Sequence, residues 1–368
     1  MKHLFILGTR GIPAQHGGFE TFAEQFSLYL KPRGWKVSVY CQKEGRGPFF
    51  EDDWNGIHRV HILVPQTLED AKGTIVFDWK STCHAARQQG VILTLGYNTA
   101  IFCALYRLKR IKNIINMDGL EWQRNKWSFL ERTWLYLNEK AGSLLGAHLV
   151  ADHPEIRNHL AGFMSKEKIT MIPYTAPMVR SADAAYLKLL HLEPGKFVLL
   201  IARPESENSI LQIVRAYTAQ KRCMPLIVLG KYDSKNYEYQ KQVLNAGNDE
   251  VVFVGVIYDQ AVVQALRFYA RFYVHGHTVG GTNPSLVEAL GAGSPVLAHD
   301  NRFNRWVAGE GALFFSDEQM CDRQITKLLR DDNLVAEMRV ASKRRYLEQF
   351  TEDKVYGAYE RLLGAYAG

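Results

Sequence analysis

Short apolar runs alternate with longer amphipathic stretches along almost the whole chain, the pattern of strands and helices taking turns in a parallel sheet covered on both faces. In the first half, runs at 4–7, 37–40, 60–64, 91–95, 114–117, 149–151 and 169–172 predict strands, and 19–30, 75–88 and 129–145 predict amphipathic helices. The pattern restarts after Pro173. Strands are predicted at 197–201, 226–229, 251–254, 272–274, 296–298 and 313–315, helices at 210–219, 237–246, 261–269 and 285–292, and a wholly helical tail at 322–367. Pro173, Pro177 and Pro194 mark 173–195 as a linker. The reading is an α/β chain of two doubly wound domains, 1–172 and 196–350, with the helix at 351–368 packing back toward the first. Such domains bind ligands at the carboxyl ends of their strands, and a tandem pair also in the central cleft its two sheets face.

The stretch most informative about chemistry is His275-Gly-His-Thr-Val-Gly-Gly-Thr-Asn-Pro-Ser-Leu-Val-Glu288, where a glycine loop feeds a helix start. Asn283 suits the N-cap, Pro284 the first helical position and Gly293 the stop. Gly280 and Gly281 let backbone N–H groups approach a ligand that a Cβ would repel. Unpaired amides and the positive end of the helix dipole together favour an anion. Glu288, a turn further in and off the face carrying Leu286 and Leu290, reaches whatever bears the phosphates. The alternative is a capping box, Ser285-x-x-Glu288, which Pro284 opposes, since Pro is favoured just inside a helix start.

Other strand ends carry candidate chemistry. Gly8-Thr-Arg-Gly11 does not supply the G-x-G-x-x-G of a dinucleotide fold, which disfavours a nicotinamide dehydrogenase. Gly17-Gly18, directly before a helix, suits an anionic group or a plain turn. Asp118, Glu121 and Arg124 beside Trp122 and Trp127 suggest an acceptor site, with indole rings as sugar platforms; an Asp-Gly turn is the bland reading. Arg203 ends a strand as a permanently charged fork matched to phosphate, unless Glu205 or Glu207 pairs with it. Val256 to Tyr258 leave another strand and could hold a flat base through their backbone. His275 and His277 lack a third ligand, so they read as a hydrogen-bonding wall rather than a zinc pair.

Composition narrows the classes. No run of 18 apolar residues occurs, and the first apolar segment is too short for a signal peptide, so a cytoplasmic protein is expected. Five scattered cysteines suggest neither a disulfide framework nor a zinc site. No Asp-x-Asp pair is present, so a diphosphate would be handled without a metal, and no cofactor is implied. The net charge of +7 sits almost wholly in the first half. Its clusters, Lys31/Arg33/Lys36 and Arg107/Lys109/Arg110/Lys112, suit an anionic membrane surface on the inner face of the cell membrane, or a solvated face. Patches this small do not suit nucleic acid.

With these pieces in order, the chain resembles a GT-B glycosyltransferase of family 4, the retaining nucleotide-sugar transferases. The resemblance rests on Gly17-Gly18, Ile201-Ala-Arg203 and Asn283-Pro-Ser-Leu-Val-Glu-Ala-Leu-Gly-Ala-Gly-Ser-Pro-Val296. Gly8-Thr-Arg-Gly-Ile-Pro-Ala, Gly17-Gly-Phe-Glu-Thr-Phe, Asp118-Gly-Leu-Glu-Trp, Val279-Gly-Gly-Thr-Asn-Pro-Ser-Leu-Val-Glu and Ala298-His-Asp are similar to its bacterial rhamnosyltransferase branch.

The resemblance implies a donor site in which Glu288 binds the ribose and Arg203 the diphosphate. It also implies that the amides of Gly281, Thr282, Asn283, Ser285 and Leu286 face the sugar and phosphates, and that Gly17 and Gly18 close on the diphosphate. The expected partners are a nucleotide sugar and a glycan or lipid-linked acceptor. Two positions depart from the family. Asn208 stands where a Lys is usual, and Gly280 where a Glu usually contacts sugar hydroxyls. Both fit a deoxy sugar held mainly by backbone, or a silent nucleotide-sugar or glycan-binding scaffold.

Overall fold

The computed structural model describes residues 2–15, 17–65, 70–124 and 126–367. It divides into two compact units, Met1–Ile172 with Val355–Gly368, and Pro173–Lys354.

The first unit holds β1 (Lys2–Leu7), β2 (Trp35–Glu44), β3 (Phe50–Trp54), β4 (Ile57–Val64), β5 (Val91–Leu95), β6 (Asn113–Asn116), β7 (His148–Ala151) and β8 (Ile169–Met171) in one sheet. Their spatial order is β3-β4-β2-β1-β5-β6-β7-β8. Its helices are α1 (Gly18–Leu30), α2 (Ala71–Ala85), α3 (Ala104–Leu108), α4 (Phe129–Leu145) and α5 (Pro154–Ala161). Central strands such as β5, Val-Ile-Leu-Thr-Leu, are nearly continuous apolar runs because both faces are covered. Strand β3 was not expected, for its sequence is Phe-Glu-Asp-Asp-Trp. It pairs antiparallel with β4, and Asp52 takes bonds from Arg59 Nε at 2.7 Å and His61 Nε2 at 2.9 Å across the ladder. Hydrogen bonding from Arg59 holds Asp52 down at about 2. After β1 the chain turns at Gly8, φ +80°, where a Cβ would lie 2.0 Å from the carbonyl oxygen of Leu95.

The second unit is all parallel: β9 (Val198–Ile201), β10 (Leu226–Leu229), β11 (Val251–Gly255), β12 (Tyr273–His275), β13 (Val296–His299) and β14 (Leu313–Phe315), in the order β11-β10-β9-β12-β13-β14. Its helices are α6 (Ile210–Thr218), α7 (Glu238–Ala246), α8 (Gln260–Tyr269), α9 (Pro284–Gly291), α10 (Arg302–Ala308), α11 (Glu318–Arg330) and α12 (Asp332–Gln349). Successive residues of a strand point to opposite faces. Val198 and Leu200 therefore enter one core with Ile213 and Val214 of α6 and Ile325 of α11, while Leu199 enters the other with Leu266 of α8 and Leu286 and Leu290 of α9. The connection leaving β9 thus covers one face and that leaving β12 the other. The sheet reverses between these neighbours, and a crevice at such a reversal is where doubly wound sheets bind ligands.

Residues 173–195 pack on the second unit: Ala176 and Leu187 are buried in its core, and Tyr269 Oη donates to the carbonyl of Ala182 at 2.7 Å. The helical tail is divided by two breaks. Asp331 leaves helical geometry at φ −113°, ψ 95° and caps Leu334 N at 2.9 Å, and α13 (Glu352–Gly364) begins only after a second break. Tyr356 and Tyr359 of α13 pack at tilted and edge-on angles against Phe22 and Phe26 of α1 in the first unit's core.

Candidate functional site

The loops leaving β9 and β12 are clasped tightly together. Gly276 lies so close to the β9 loop that a Cβ would stand 2.0 Å from the carbonyl oxygen of Asn208. Asn208 donates from Nδ2 to the carbonyl of Arg203 at 2.8 Å, and its Oδ1 lies 2.8 Å from Nδ1 of His277. Thr278 gives both its amide and its hydroxyl to the carbonyl of Glu207, each at 2.9 Å. The carbonyl of His277 accepts from Asn301 Nδ2 at 3.0 Å and Asn304 Nδ2 at 2.8 Å. Asn208 is therefore a brace between loops rather than a vacant donor-binding amide. Arg203 stands exposed just past the end of β9.

Helix α9 starts as its sequence suggests. Asn283 is the N-cap, accepting from Ser285 N at 3.0 Å, Pro284 occupies the first turn, and Gly293 takes φ +68° beyond the end. Ser285 is thus inside the helix, and the capping box with Glu288 does not form. The amide set narrows too: Pro284 has no N–H, Ser285 N is held by the Asn283 side chain, and Leu286 N donates to Asn283 O at 3.1 Å. Leu286 itself is wholly buried. In the loop before the helix, Gly281 adopts φ +108° and is followed by Thr282 and the N-cap Asn283.

Side chains around α9 form a network that sequence reasoning missed. Arg267 of α8, buried to 7% side-chain exposure, is ion-paired with Glu288, whose side chain keeps 33%. Arg267 also donates to Ser285 Oγ at 3.2 Å, and that oxygen lies 2.9 Å from Tyr273 Oη. The Ser285 hydroxyl is therefore engaged within the protein. Glu288 is fixed from behind with one edge open. Gly280 lies against the ring of Phe303, which a Cβ would meet at 2.5 Å. The space beside Gly280 is thus filled by an aromatic ring. No sequence signal marked Arg267, which sits in an ordinary helix; Phe303 lies three residues past the Ala298-His-Asp motif, and the motif could have drawn attention to it.

His275, at the end of β12, is 4% exposed. Burial, helped by His277 and His299, lowers its pKa to about 3, so the ring is neutral, and its Nε2 has no hydrogen-bond partner among the described residues. Among those residues no group of three or more His, Cys, Asp or Glu could hold a metal ion. Val256 and Tyr258 follow Gly255 on the edge strand β11, two strands from β9, and are 42% and 78% exposed.

In the first unit, Gly17 is the N-cap of α1 with extended backbone, and Gly18 is its first residue. Neither requires a left-handed conformation, whereas Gly8 and Gly11, earlier in the same loop, take φ +80° and +124°. Asp118 adopts φ +46° just past β6, with its amide donating to Asn116 Oδ1 at 2.8 Å. The other acceptor candidates are engaged internally. Glu121 accepts from Arg124 Nη1 at 3.0 Å and Trp127 Nε1 at 3.0 Å, and lies 3.3 Å from Lys126 Nζ. Burial alone would raise its pKa, yet Arg124 and Lys126 hold it below its ordinary value. Trp122 donates to Glu139 at 3.3 Å and meets Tyr136 edge-on. Glu121, Trp122 and Arg124 therefore shape the loop that presents Asp118.

Residues 187–345 match the family model of glycosyl transferases group 1. Similar solved structures cover both units. The sucrose-phosphate synthase of Thermosynechococcus elongatus gives a TM-score of 0.80 at 18% identity, over 99% of this chain and 100% of that one. The chain has the GT-B glycosyltransferase fold. Anabaena Alr3699/HepE in complex with UDP gives 0.74 at 14% identity, over 99% and 100%. The UDP-forming α,α-trehalose-phosphate synthase of Burkholderia xenovorans, in complex with glucose-6-phosphate, gives 0.72 at 12%, over 100% of each chain. Within this GT-B chain, residues 1–177 match a domain of unknown function, DUF1972. No curated protein matches its sequence. No helix among the described residues is long and apolar enough to cross a membrane.

Proposed function

We propose that the protein is a metal-independent, retaining family 4 glycosyltransferase of the rhamnosyl branch. It moves a deoxyhexose, L-rhamnose from dTDP-rhamnose, to a hydroxyl of a glycan or lipid-linked acceptor in cell-surface polysaccharide synthesis, at the inner face of the membrane. The observation that carries this reading is the contact of Gly280 with Phe303. A hydroxyl-rich hexose favours a carboxylate at that point, whereas an apolar ring suits the methyl group of a 6-deoxy sugar, and a polar hydroxyl buried against it would go unpaired.

In the transfer, the bond from the anomeric carbon to the diphosphate oxygen breaks as the bond to the acceptor oxygen forms, on the same face. The acceptor proton passes to the departing diphosphate. Arg203 and the Gly281, Thr282 and Asn283 amides stabilise the charge that grows on that group, each donor contributing on the order of 3 kcal/mol. Glu288, oriented by Arg267, takes the ribose hydroxyls, Val256 and Tyr258 flank the base, and Gly17-Gly18 contribute to the diphosphate. Asp118 orients the acceptor hydroxyl.

A second reading, a glucosyl-, galactosyl- or mannosyltransferase, is favoured by structural neighbours whose titles name UDP, glucose-6-phosphate or sucrose-phosphate synthesis. A silent scaffold is favoured by Asn208, whose side chain is occupied within the protein. Nucleoside diphosphate release across a panel of nucleotide sugars separates them. dTDP-rhamnose turned over best supports the proposal, a UDP- or GDP-hexose turned over best supports the second reading, and no turnover with retained binding supports the scaffold.

A further inference from the structure

Helix α4 is built inside out. Its buried residues are Leu135, Asn138, Glu139, Gly142 and Ser143, while Phe129, Leu130, Leu137 and Leu144 are 82%, 78%, 57% and 69% exposed. At 3.6 residues per turn these three leucines and the phenylalanine fall on one face, opposite the polar and small one. The orientation is fixed from within. Asn138 Oδ1 accepts from Ile101 N at 3.0 Å, and Glu139 accepts from Trp122 at 3.3 Å and from His159 at 3.0 Å. Gly142 lies against Ala100, where a Cβ would meet Ala100 Cβ at 3.1 Å. Rolling the helix to hide its leucines would break each of these bonds.

The apolar face continues onto neighbouring segments. Ile101, in the turn that packs on α4, is 48% exposed, and Leu108 at the end of α3 is 81% exposed. Leu108 stands among the exposed Arg107, Lys109, Arg110 and Lys112. Trp134, at the rim, is anchored by Nε1 donating to the carbonyl of Asn98 at 2.8 Å. The nearby acid Glu131 is engaged by Ser128. An apolar strip with an indole at its rim and a cluster of cations beside it matches a bilayer interface with anionic headgroups. A second copy fits less well, because an isologous pairing would set the basic cluster against the partner's apolar strip or, at the axis, against its duplicate, and neither supplies a counter-charge.

We infer that the exposed face of α4, with Ile101 and Leu108, is a docking surface for an anionic lipid bilayer, the strip entering the headgroup boundary and the α3 cluster contacting lipid phosphates. This deepens the membrane location proposed above and is read out independently of sugar transfer. The full chain is floated with vesicles of phosphatidylcholine alone and of phosphatidylcholine with 30% phosphatidylglycerol, at low and high salt. The expected result is binding to the anionic vesicles at least tenfold above the neutral ones, weakened by salt. Phe129→Ser/Leu130→Ser/Leu137→Ser, all at exposed positions, should lose tenfold or more of that binding with an unchanged melting temperature and unchanged nucleoside diphosphate release in detergent-free buffer. Arg107→Gln/Lys109→Gln/Arg110→Gln should lose the salt-sensitive part. Failure of the wild-type chain to bind anionic vesicles, undiminished binding by the triple serine variant, or a wild-type dimer that the serine variant dissociates would each overturn the inference.

Discussion

Arg267 and Glu288 form an ion pair between α8 and α9, with the guanidinium nearly enclosed and the carboxylate partly open. The asymmetry assigns different consequences to the two residues. Glu288→Ala leaves a buried cation without its partner, which costs about 3 kcal/mol of stability. It also removes the candidate ribose contact, so nucleoside diphosphate affinity should fall tenfold or more. Arg267→Met combined with Glu288→Leu should regain most of the melting temperature and none of the affinity. Thermal melts and titration calorimetry on the two variants and the wild type check this. Full affinity in the double variant would make the pair purely structural.

Gly276 and Gly280 are both glycines by necessity of space, but for different neighbours. A methyl at Gly276 meets backbone at 2.0 Å, and one at Gly280 meets the outer edge of a phenylalanine ring at 2.5 Å. Gly276→Ala should destabilise by about 3 kcal/mol or prevent folding, with no side-chain change able to relieve it. Gly280→Ala should cost about 1–2 kcal/mol and be largely relieved by Phe303→Leu. Melting temperatures of the single and paired variants decide the matter.

The neutral His275 makes stability depend on pH. Its folded pKa, about 3, lies below the ordinary value of 6.5 that the unfolded chain regains. The unfolded state therefore binds the proton first. The contribution of this residue is complete above about 6.5 and declines as pH falls toward 3, with a slope of at most about 1.4 kcal/mol per pH unit. His275→Phe should flatten the melting temperature between pH 6.5 and 4 relative to wild type. An identical profile would mean that the other buried histidines carry the dependence.

Strands were legible where burial is two-sided, because such strands are unbroken apolar runs: the expected bounds of β5, β10 and β14 are the observed ones. β3 was hidden because its acidic residues are held by cross-strand partners on β4 that only pairing reveals. In α4 the period was plain from sequence, yet periodicity gives a face and not the direction it points. At the candidate site, the cap and the loop glycines could be read from local chemistry. The engagement of Asn208, Ser285 and Glu121 could not, since their partners His277, Tyr273, Arg267 and Trp127 reach them through the fold.

The central claim is that Arg203, exposed at the reversal of the second sheet, holds the departing diphosphate. Turnover of the best donor by Arg203→Ala, with its melting temperature recorded beside it, tests that most directly. The account predicts a loss of two or more powers of ten, since one such donor contributes on the order of 3 kcal/mol to the barrier, with melting unchanged because the side chain is exposed. Turnover within a few fold of wild type would contradict it.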